Sequence, residues 1–168
     1  MMKTRLVMTL AGVVLGALGV SALAFDKIAV DKLPAAVTKA IKDKFPDGKI
    51  EGAETEVEDG KTIYEVEVDA KGGEYTVSVK ADGTIEEIEK ELAERDLPAA
   101  VAATLKAEFP NGKFKEIEEA TKGDKVTYEL QVVEKGKQTL EVTVDPQGKI
   151  LSKKEVAEEA KEKDEKRD

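Results

Sequence analysis

Carboxylate, amide and hydroxyl side chains alternate with apolar ones in four segments of this 168-residue chain, and they are the groups best placed to bind a partner. Alternation with a period of two predicts strands whose polar residues share one face of a sheet, away from the core. The residues that we expect on this solvent face are Glu65, Glu67, Thr76, Ser78, Glu129, Gln131, Glu141 and Thr143.

Such a face would be acidic and rich in hydroxyl groups, which suits weak binding of a basic protein or peptide. The alternative interpretation is the polar half of an ordinary half-buried sheet, with no partner. Binding hot spots favour Trp, Tyr and Arg, and the predicted face has none of these residues, so the pattern disfavours tight inhibition.

Two acidic clusters suggest an alternative function, the weak binding or sensing of divalent cations, because calcium takes oxygen ligands. Neither cluster has the D-x-D-x-D-G spacing of a defined calcium loop, and Asp82-Gly83 instead indicates a hairpin turn. We therefore assign no metal ligands and no cofactor. The clusters are Glu54, Glu56, Glu58 and Asp59, and Glu86, Glu87, Glu89 and Glu91.

Catalytic chemistry is restricted by the composition, because the chain contains no Cys and no His. A thiol nucleophile, a Cys/His zinc site and a His-based triad are excluded. Paired carboxylates could perform acid–base chemistry, but they must flank a cleft, and the sequence nominates no pair. We predict a non-enzymatic protein without catalytic residues.

The first 24 residues have the layout of a cleavable secretory signal peptide. A basic start precedes an uncharged apolar run at 6–20, and Ala-Leu-Ala at 22–24 supplies a small-x-small cleavage site. The run of about 15 residues is shorter than the roughly 20 that a membrane-spanning helix needs. We predict cleavage between Ala24 and Phe25 and a periplasmic or secreted mature protein.

The formal net charge of −9 disfavours nucleic acid and anionic lipid as partners, since both attract basic proteins. It suits a basic partner or simple solubility. Because there is no Cys, the chain has no lipid-attachment site and no disulfide. We expect a soluble monomer that does not associate with a membrane after signal cleavage.

An internal repeat organises the rest of the chain. The pentapeptide LPAAV at 33–37 returns at 97–101, and FPDGK at 45–49 returns as FPNGK at 109–113. The sequence therefore predicts two tandem copies of one unit. The predicted boundaries are a signal peptide at 1–24, an N-terminal extension at 25–32, the first repeat at 33–92, a short connection at 93–96, the second repeat at 97–156 and a charged tail at 157–168.

Each unit begins with a predicted helix, because apolar residues recur every fourth position from Leu33 to Phe45 and from Leu97 to Phe109. The proline at the start of each stripe fits the first helical turn. The proline and glycine of the FP-D/N-G-K motif end the helix and permit a reversal. We interpret this motif as a structural signal that ends the helix before the next strand, with no chemical role.

Four antiparallel strands follow each helix in our prediction, since the apolar period changes to two and turn signals separate the segments. The weaker strands are placed at 50–57, 84–92, 114–120 and 149–156. The fold class is therefore α+β: two tandem repeats, each one helix followed by a four-stranded antiparallel meander, with the helices packed on one face of the sheet. The short connection at 93–96 favours one shared sheet of up to eight strands, which protects two edges.

Several motifs occur in order along the chain: LPAAV followed by FPDGKI, an acidic strand, YEVEV and a final strand after ADG. Together they resemble the PepSY-like family, which is described as β-lactamase-inhibitor-like. The resemblance covers both predicted units. It implies exported bacterial proteins that bind or inhibit other proteins, such as a peptidase or another envelope protein. It implies no catalytic residues.

Overall fold

The computed structural model describes residues 26–58, 60–134, 136 and 138–156. The predicted signal peptide at 1–24, its cleavage site and the charged tail at 157–168 lie outside the described residues.

Two ten-residue helices form where the four-residue apolar spacing predicts them: α1 spans Ala35–Lys44 and α2 spans Ala99–Glu108. Each begins one residue after a proline, which takes the N-cap position with an extended backbone, so the prediction of proline inside the first turn was wrong by one residue. The carbonyl of Pro34 still accepts a hydrogen bond from the Thr38 N–H at 3.0 Å. Of the helices in the described ranges, none is long and apolar enough to cross a membrane.

The repeated FP-D/N-G-K motif ends each helix and starts a strand, as predicted. The Gly48 N–H donates to the Phe45 carbonyl at 3.0 Å, and the Gly112 N–H donates to the Phe109 carbonyl at the same distance. A Cβ atom at Gly48 would lie 2.9 Å from a methyl group of Val68, which is closer than real Cβ atoms approach. The glycine therefore lets the chain reverse directly against the sheet.

The strands form one antiparallel sheet in which every strand pairs with its neighbour in sequence. The predicted weaker strands are confirmed, with ends that differ by one or two residues. The strands are β1 at Asp26–Lys27, β2 at Lys49–Glu58, β3 at Lys61–Ala70, β4 at Gly73–Lys80, β5 at Ile85–Glu91, β6 at Lys113–Lys122, β7 at Lys125–Val133, β8 at Leu140–Val144 and β9 at Ile150–Glu155.

The sheet has nine strands where the sequence predicted up to eight, because the two residues of β1 pair with Thr55 and Glu54 of β2. The two halves of the chain join through β5 and β6, in the register Ile88 to Thr121 and Glu91 to Glu118. The shared sheet and the α+β class are thus as predicted.

The apolar core consists of two clusters on the helix side of the sheet. In the first, Val37 and Ile41 of α1 pack with the strand residues that include Val66 and Val77. In the second, Val101 and Leu105 of α2 are buried in one cluster with strand residues of β6, β7 and β8. Both helices therefore cover the same face of the sheet, and the opposite face carries the polar half of each strand.

β-bulges interrupt the strand register at four places, at 50–52, 78–79, 115–118 and 143–144. Within the third, Glu116 has a φ of 46°, a left-handed conformation that a non-glycine residue rarely adopts. An extra residue on one strand bends that strand and increases the local twist of the sheet. The bulges therefore curve a sheet that would otherwise lie flatter.

The turn between β8 and β9 docks tightly on α2, and we expect Gly148→Ala to destabilise the protein by about 2–3 kcal/mol. Gly148 has a φ of 85°, and a Cβ atom there would lie 2.7 Å from the Ala100 carbonyl oxygen. Gly123→Ala is the matched control, since its φ is 59° and no described atom lies within 4 Å of the added Cβ. The control should cost about 1 kcal/mol. Urea melts that gave equal losses would contradict the tight docking.

Candidate functional site

The eight residues predicted for the polar face form four cross-strand pairs. Glu65 lies opposite Ser78 and Glu67 opposite Thr76. Glu129 lies opposite Thr143 and Gln131 opposite Glu141. They alternate with core residues such as Val66 and Leu130, so they point away from the helices, as predicted.

The predicted solvent exposure was wrong for three of these residues. Glu65, Ser78 and Glu129 are only 3%, 7% and 9% exposed, and the other five are half-buried. Since both helices pack on the other face, a flat sheet would leave these side chains in water. They are buried nonetheless, and the sheet carries four bulges, which bend strands and increase their twist.

The polar face also buries carboxylates that we did not select for it. Glu56 is 4% exposed and Glu89 is 3% exposed, and both belong to the clusters that we had considered for metal binding. We call this surface the acidic face and define it by Glu56, Glu65, Glu87, Glu89, Glu118 and Glu129, with the hydroxyl residues between them.

The middle of the acidic face lies where β5 meets β6. Glu89 is flanked by two small side chains, Thr76 on β4 and Ala120 on β6. One pair further along, Glu118 lies between Glu91 and Glu129. Like charges that face each other across strands are destabilising, so this arrangement lowers the stability of the sheet.

Burial, and after it the negative charges of Glu118, Glu87, Glu129 and Glu65, together raise the pKa of Glu89 from its ordinary value to about 9. These four carboxylates reach Glu89 from β6, β5, β7 and β3. The Glu89 carboxyl is therefore protonated at neutral pH.

Burial also raises the pKa of Glu129, to about 7, and the charge of Glu87 adds to this effect. A hydrogen bond that the Thr127 hydroxyl donates to Glu129 at 3.2 Å opposes the shift. Burial raises the pKa of Glu116 and Glu141 as well. Carboxyl groups with raised pKa values that lie together on one face of the sheet mark a candidate functional site.

Lysines contact the acidic face near its border. The Lys122 ammonium lies 3.6 Å from the Glu87 carboxylate, and Lys80 pairs with Glu86 at 2.5 Å. Lys154, on the edge strand β9, lies opposite Glu141. The charges that raise the pKa of the central Glu89 are all carboxylates.

The two acidic clusters considered for metal binding belong to different strands, the first to the end of β2 and the second to β5. Glu54 and Glu56 lie on β2, whereas Asp59 is outside the described residues. Within the described ranges, no group of three or more acidic residues has the geometry to hold a metal ion. Calcium binding stays a prediction, and calorimetric calcium titration is its test.

Comparison with protein families finds two matches. Residues 72–152 match a family described as "Putative beta-lactamase-inhibitor-like, PepSY-like", and residues 33–89 match "Peptidase propeptide and YPEB domain". The resemblance to the PepSY-like family is confirmed. A search of curated proteins finds no match to this chain.

Solved structures share the fold of this chain. A structure from Bacteroides eggerthii, described as "putative periplasmic proteins", has a TM-score of 0.64 at 19% identity over 73% of this chain and 88% of its own. A BLIP-like protein from Bacteroides fragilis has a TM-score of 0.61 at 20% identity over 73% and 86%. A DUF2874 family protein from Bacteroides ovatus has a TM-score of 0.65 at 17% identity over 78% and 93%. At these identities the likeness concerns the fold alone.

Proposed function

We propose that this protein is an exported, non-enzymatic module that binds a basic segment of another protein on its acidic face. The observation that carries the proposal is the burial of carboxylates on the face away from the helices. Removing a carboxylate from water is costly unless it is neutralised or paired, and several lie together here. Apolar or neutral side chains would stabilise the same sheet better, so the acidic residues have a use other than folding.

Export and protein binding are supported by the comparisons in a general way. One structural neighbour is described as periplasmic and another as BLIP-like, which suits an envelope protein that modulates a peptidase or another enzyme. Two copies of a helix-plus-four-strand unit, at 33–92 and 97–156, would explain why the acidic face spans both halves of the sheet.

The proposal predicts that partner binding is held chiefly by charge. A protein captured from the periplasm of the native host should bind the immobilised mature chain less tightly as salt is raised from about 0.1 M to about 1 M, which shortens the Debye length from about 10 Å to about 3 Å. At pH 8.5, where Glu129 with its pKa of about 7 is ionised, the triple variant Glu65→Gln, Glu67→Gln and Glu129→Gln should weaken binding several-fold, because it deletes the Glu129 charge with the other two carboxylates and keeps the side-chain shapes. Surface plasmon resonance across a salt series measures both effects.

A charge-matched control separates the acidic face from net charge. The variant Asp43→Asn, Asp47→Asn and Glu94→Gln changes three exposed acidic residues outside the sheet and alters the net charge equally. It should bind like the wild type. Binding that is insensitive to salt, or that both triple variants weaken equally, would move the site away from the acidic face.

A further inference from the structure

We propose that the outer edges of β9 and β2 are the two sides of a junction that can join two copies of this chain head to tail, and that Lys153 and β1 keep this junction closed. The occupant that fits each edge is a second copy, which the wild-type chain does not bind. This inference does not depend on the proposed function, because it concerns the edges of the sheet and not the binding of another protein to the acidic face.

The pattern for this junction lies in the middle of the sheet, where β5 and β6 connect the two halves of the chain. Residues 88–91 pair with 118–121, and the Leu92 N–H then donates to the Ile117 carbonyl at 2.8 Å. We call this pairing the central junction. It uses the outer edge of the last strand in the first half and the outer edge of the first strand in the second half.

β1 covers β2 in the register of the central junction, 64 residues earlier in the chain. Residues 26–27 pair with 54–55, and the Ile28 N–H donates to the Ala53 carbonyl at 3.0 Å. β1 therefore fills two of the four positions of this register, and Val57, which is 62% exposed, lies just beyond its end. A second copy would have to displace only these two residues to reach the edge of β2.

β9 has the register of β5 on its inner side. β5 pairs with β4 through Ile88 and Val77, and β9 pairs with β8 through Lys153 and Val142; the other pairs of the two ladders match at the same offset of 65 residues. In the part of the chain that the structure describes, β9 pairs with β8 alone. The outer edge of β9 is thus the counterpart of the edge that β5 shares with β6.

Lys153 makes the edge of β9 unsuitable for a second strand. The matching residue of β5 is Ile88, which is apolar and packs against the first core cluster. The Lys153 ammonium instead pairs with Glu108 and lies 5.2 Å from the centre of the Phe109 ring. A strand added to β9 would remove water from this charge, which is costly, and lysine on an edge strand commonly prevents strand addition.

A second copy fits once both closures are removed. The register of the central junction, carried over to β9 of one copy and β2 of another, places position 153 opposite Val57 and Lys154 opposite Glu56. With an apolar residue at 153, one pair would be apolar and the next would join opposite charges, and both kinds of cross-strand pair are stabilising. Because the two edges differ, chains with both edges open would grow without a fixed size.

The test opens each edge in a separate variant of the chain without residues 1–24. Lys153→Ile gives β9 the apolar residue that β5 has. Asp26→Pro with Lys27→Glu loosens β1 and is called the β1-open variant. Proline at 26 lacks the N–H that points at β2, as the N–H of Ile28 does, and a glutamate at 27 would face Glu54.

Sedimentation velocity of the variants, alone and mixed, measures their association. We expect the wild type and each variant to be monomers alone, and an equal mixture of the two variants to form a one-to-one complex that grows no further. A chain with all three substitutions should form assemblies whose mass rises with concentration. The dissociation constant of the mixed complex should be at least about tenfold below that of wild-type self-association.

Hydrogen exchange locates the contact on β9. The Val156 N–H donates inward to the Thr139 carbonyl, so the N–H groups at 153 and 155 point to the outer edge. In the mixed complex these two N–H groups of the Lys153→Ile chain should exchange more slowly, and that of Val156 should not change. Protection confined to other strands would overturn the junction.

The matched control is Lys106→Ile, which makes the same change of side chain and charge at an exposed position of α2. It should not associate with the β1-open variant. The junction would also be overturned if the chain with all three substitutions stayed monomeric at about 1 mM, a concentration at which even a weak complex forms. Self-association of Lys153→Ile alone, or equal association of Lys106→Ile, would contradict the pairing of β9 with β2.

Discussion

Glu89→Gln is expected to stabilise the protein at pH 8 by on the order of 5 kcal/mol and to remove most of the pH dependence of its stability. In the folded chain, burial and the surrounding carboxylates raise the pKa of Glu89 to about 9, whereas the unfolded chain has the ordinary value near 4.5. Between these values the native state binds a proton that the unfolded state has released. Stability is therefore highest below the unfolded pKa and falls as pH rises towards 9.

The size of the effect follows from the two pKa values. Each pH unit in this window lowers the free energy of unfolding by up to about 1.4 kcal/mol, so from pH 5 to pH 8 the wild type should lose on the order of 4 kcal/mol. The raised pKa of Glu129, about 7, acts in the same direction over a narrower window. Glutamine resembles the protonated acid at every pH, so the variant lacks the contribution of Glu89.

Urea melts of both proteins from pH 5 to pH 8.5 measure this difference. Glu51→Gln, at an exposed position on β2, is the control and should retain the slope of the wild type. A wild-type stability that stays level or rises across this range would show that Glu89 is ionised without penalty, and so that it is not buried as described.

The sequence predicted the helices and strands well because each rests on a local signal. The four-residue stripe from Val37 to Ile41 needs only a helical period, and the alternation of Tyr64, Glu65 and Val66 needs only a pleated strand. The FP-D/N-G-K motif marks the same reversal twice. None of these signals depends on how distant parts of the chain meet.

The burial of Glu65, Ser78 and Glu129 could not be predicted in the same way. A period of two assigns a residue to a face, but it does not say whether the sheet is flat or bent there. Curvature depends on bulges, where one strand gains a residue over its partner, and this becomes visible only when two strands are aligned. The irregular alternation around Glu86 and Glu87 is the local trace of one such bulge.

Glu89 was missed as the central residue for a related reason. Its neighbours on β6 come from the other half of the chain, and the register between β5 and β6 sets the distance to Glu118. The sequence indicated that the two units share a sheet, but it did not indicate the register. Four glutamates among Glu86 to Glu91 were visible as a cluster, and only the strand pairing shows which of them lie on the polar face.

Phe109→Ala is expected to destabilise the protein by about 3–5 kcal/mol. Phe109 caps the end of α2, where its N–H donates to the Leu105 carbonyl at 2.9 Å, and its side chain is 6% exposed within the second core cluster. The Lys153 ammonium lies 5.2 Å from the centre of the ring. Truncation to Ala therefore removes buried apolar surface, leaves a cavity beneath the helix end and deletes a cation–π contact.

Two control substitutions separate loss of packing from other effects of the change. Phe109→Leu keeps most of the apolar volume and should cost under about 2 kcal/mol, whereas Val57→Ala, at a residue that is 62% exposed, should cost under about 1 kcal/mol. The free energies of unfolding come from urea melts at pH 5, where Glu89 is protonated in the folded chain. If Phe109→Ala cost no more than Val57→Ala, Phe109 would not be packed in the second core cluster. The FP-N-G-K motif would then not hold the end of α2 against the sheet.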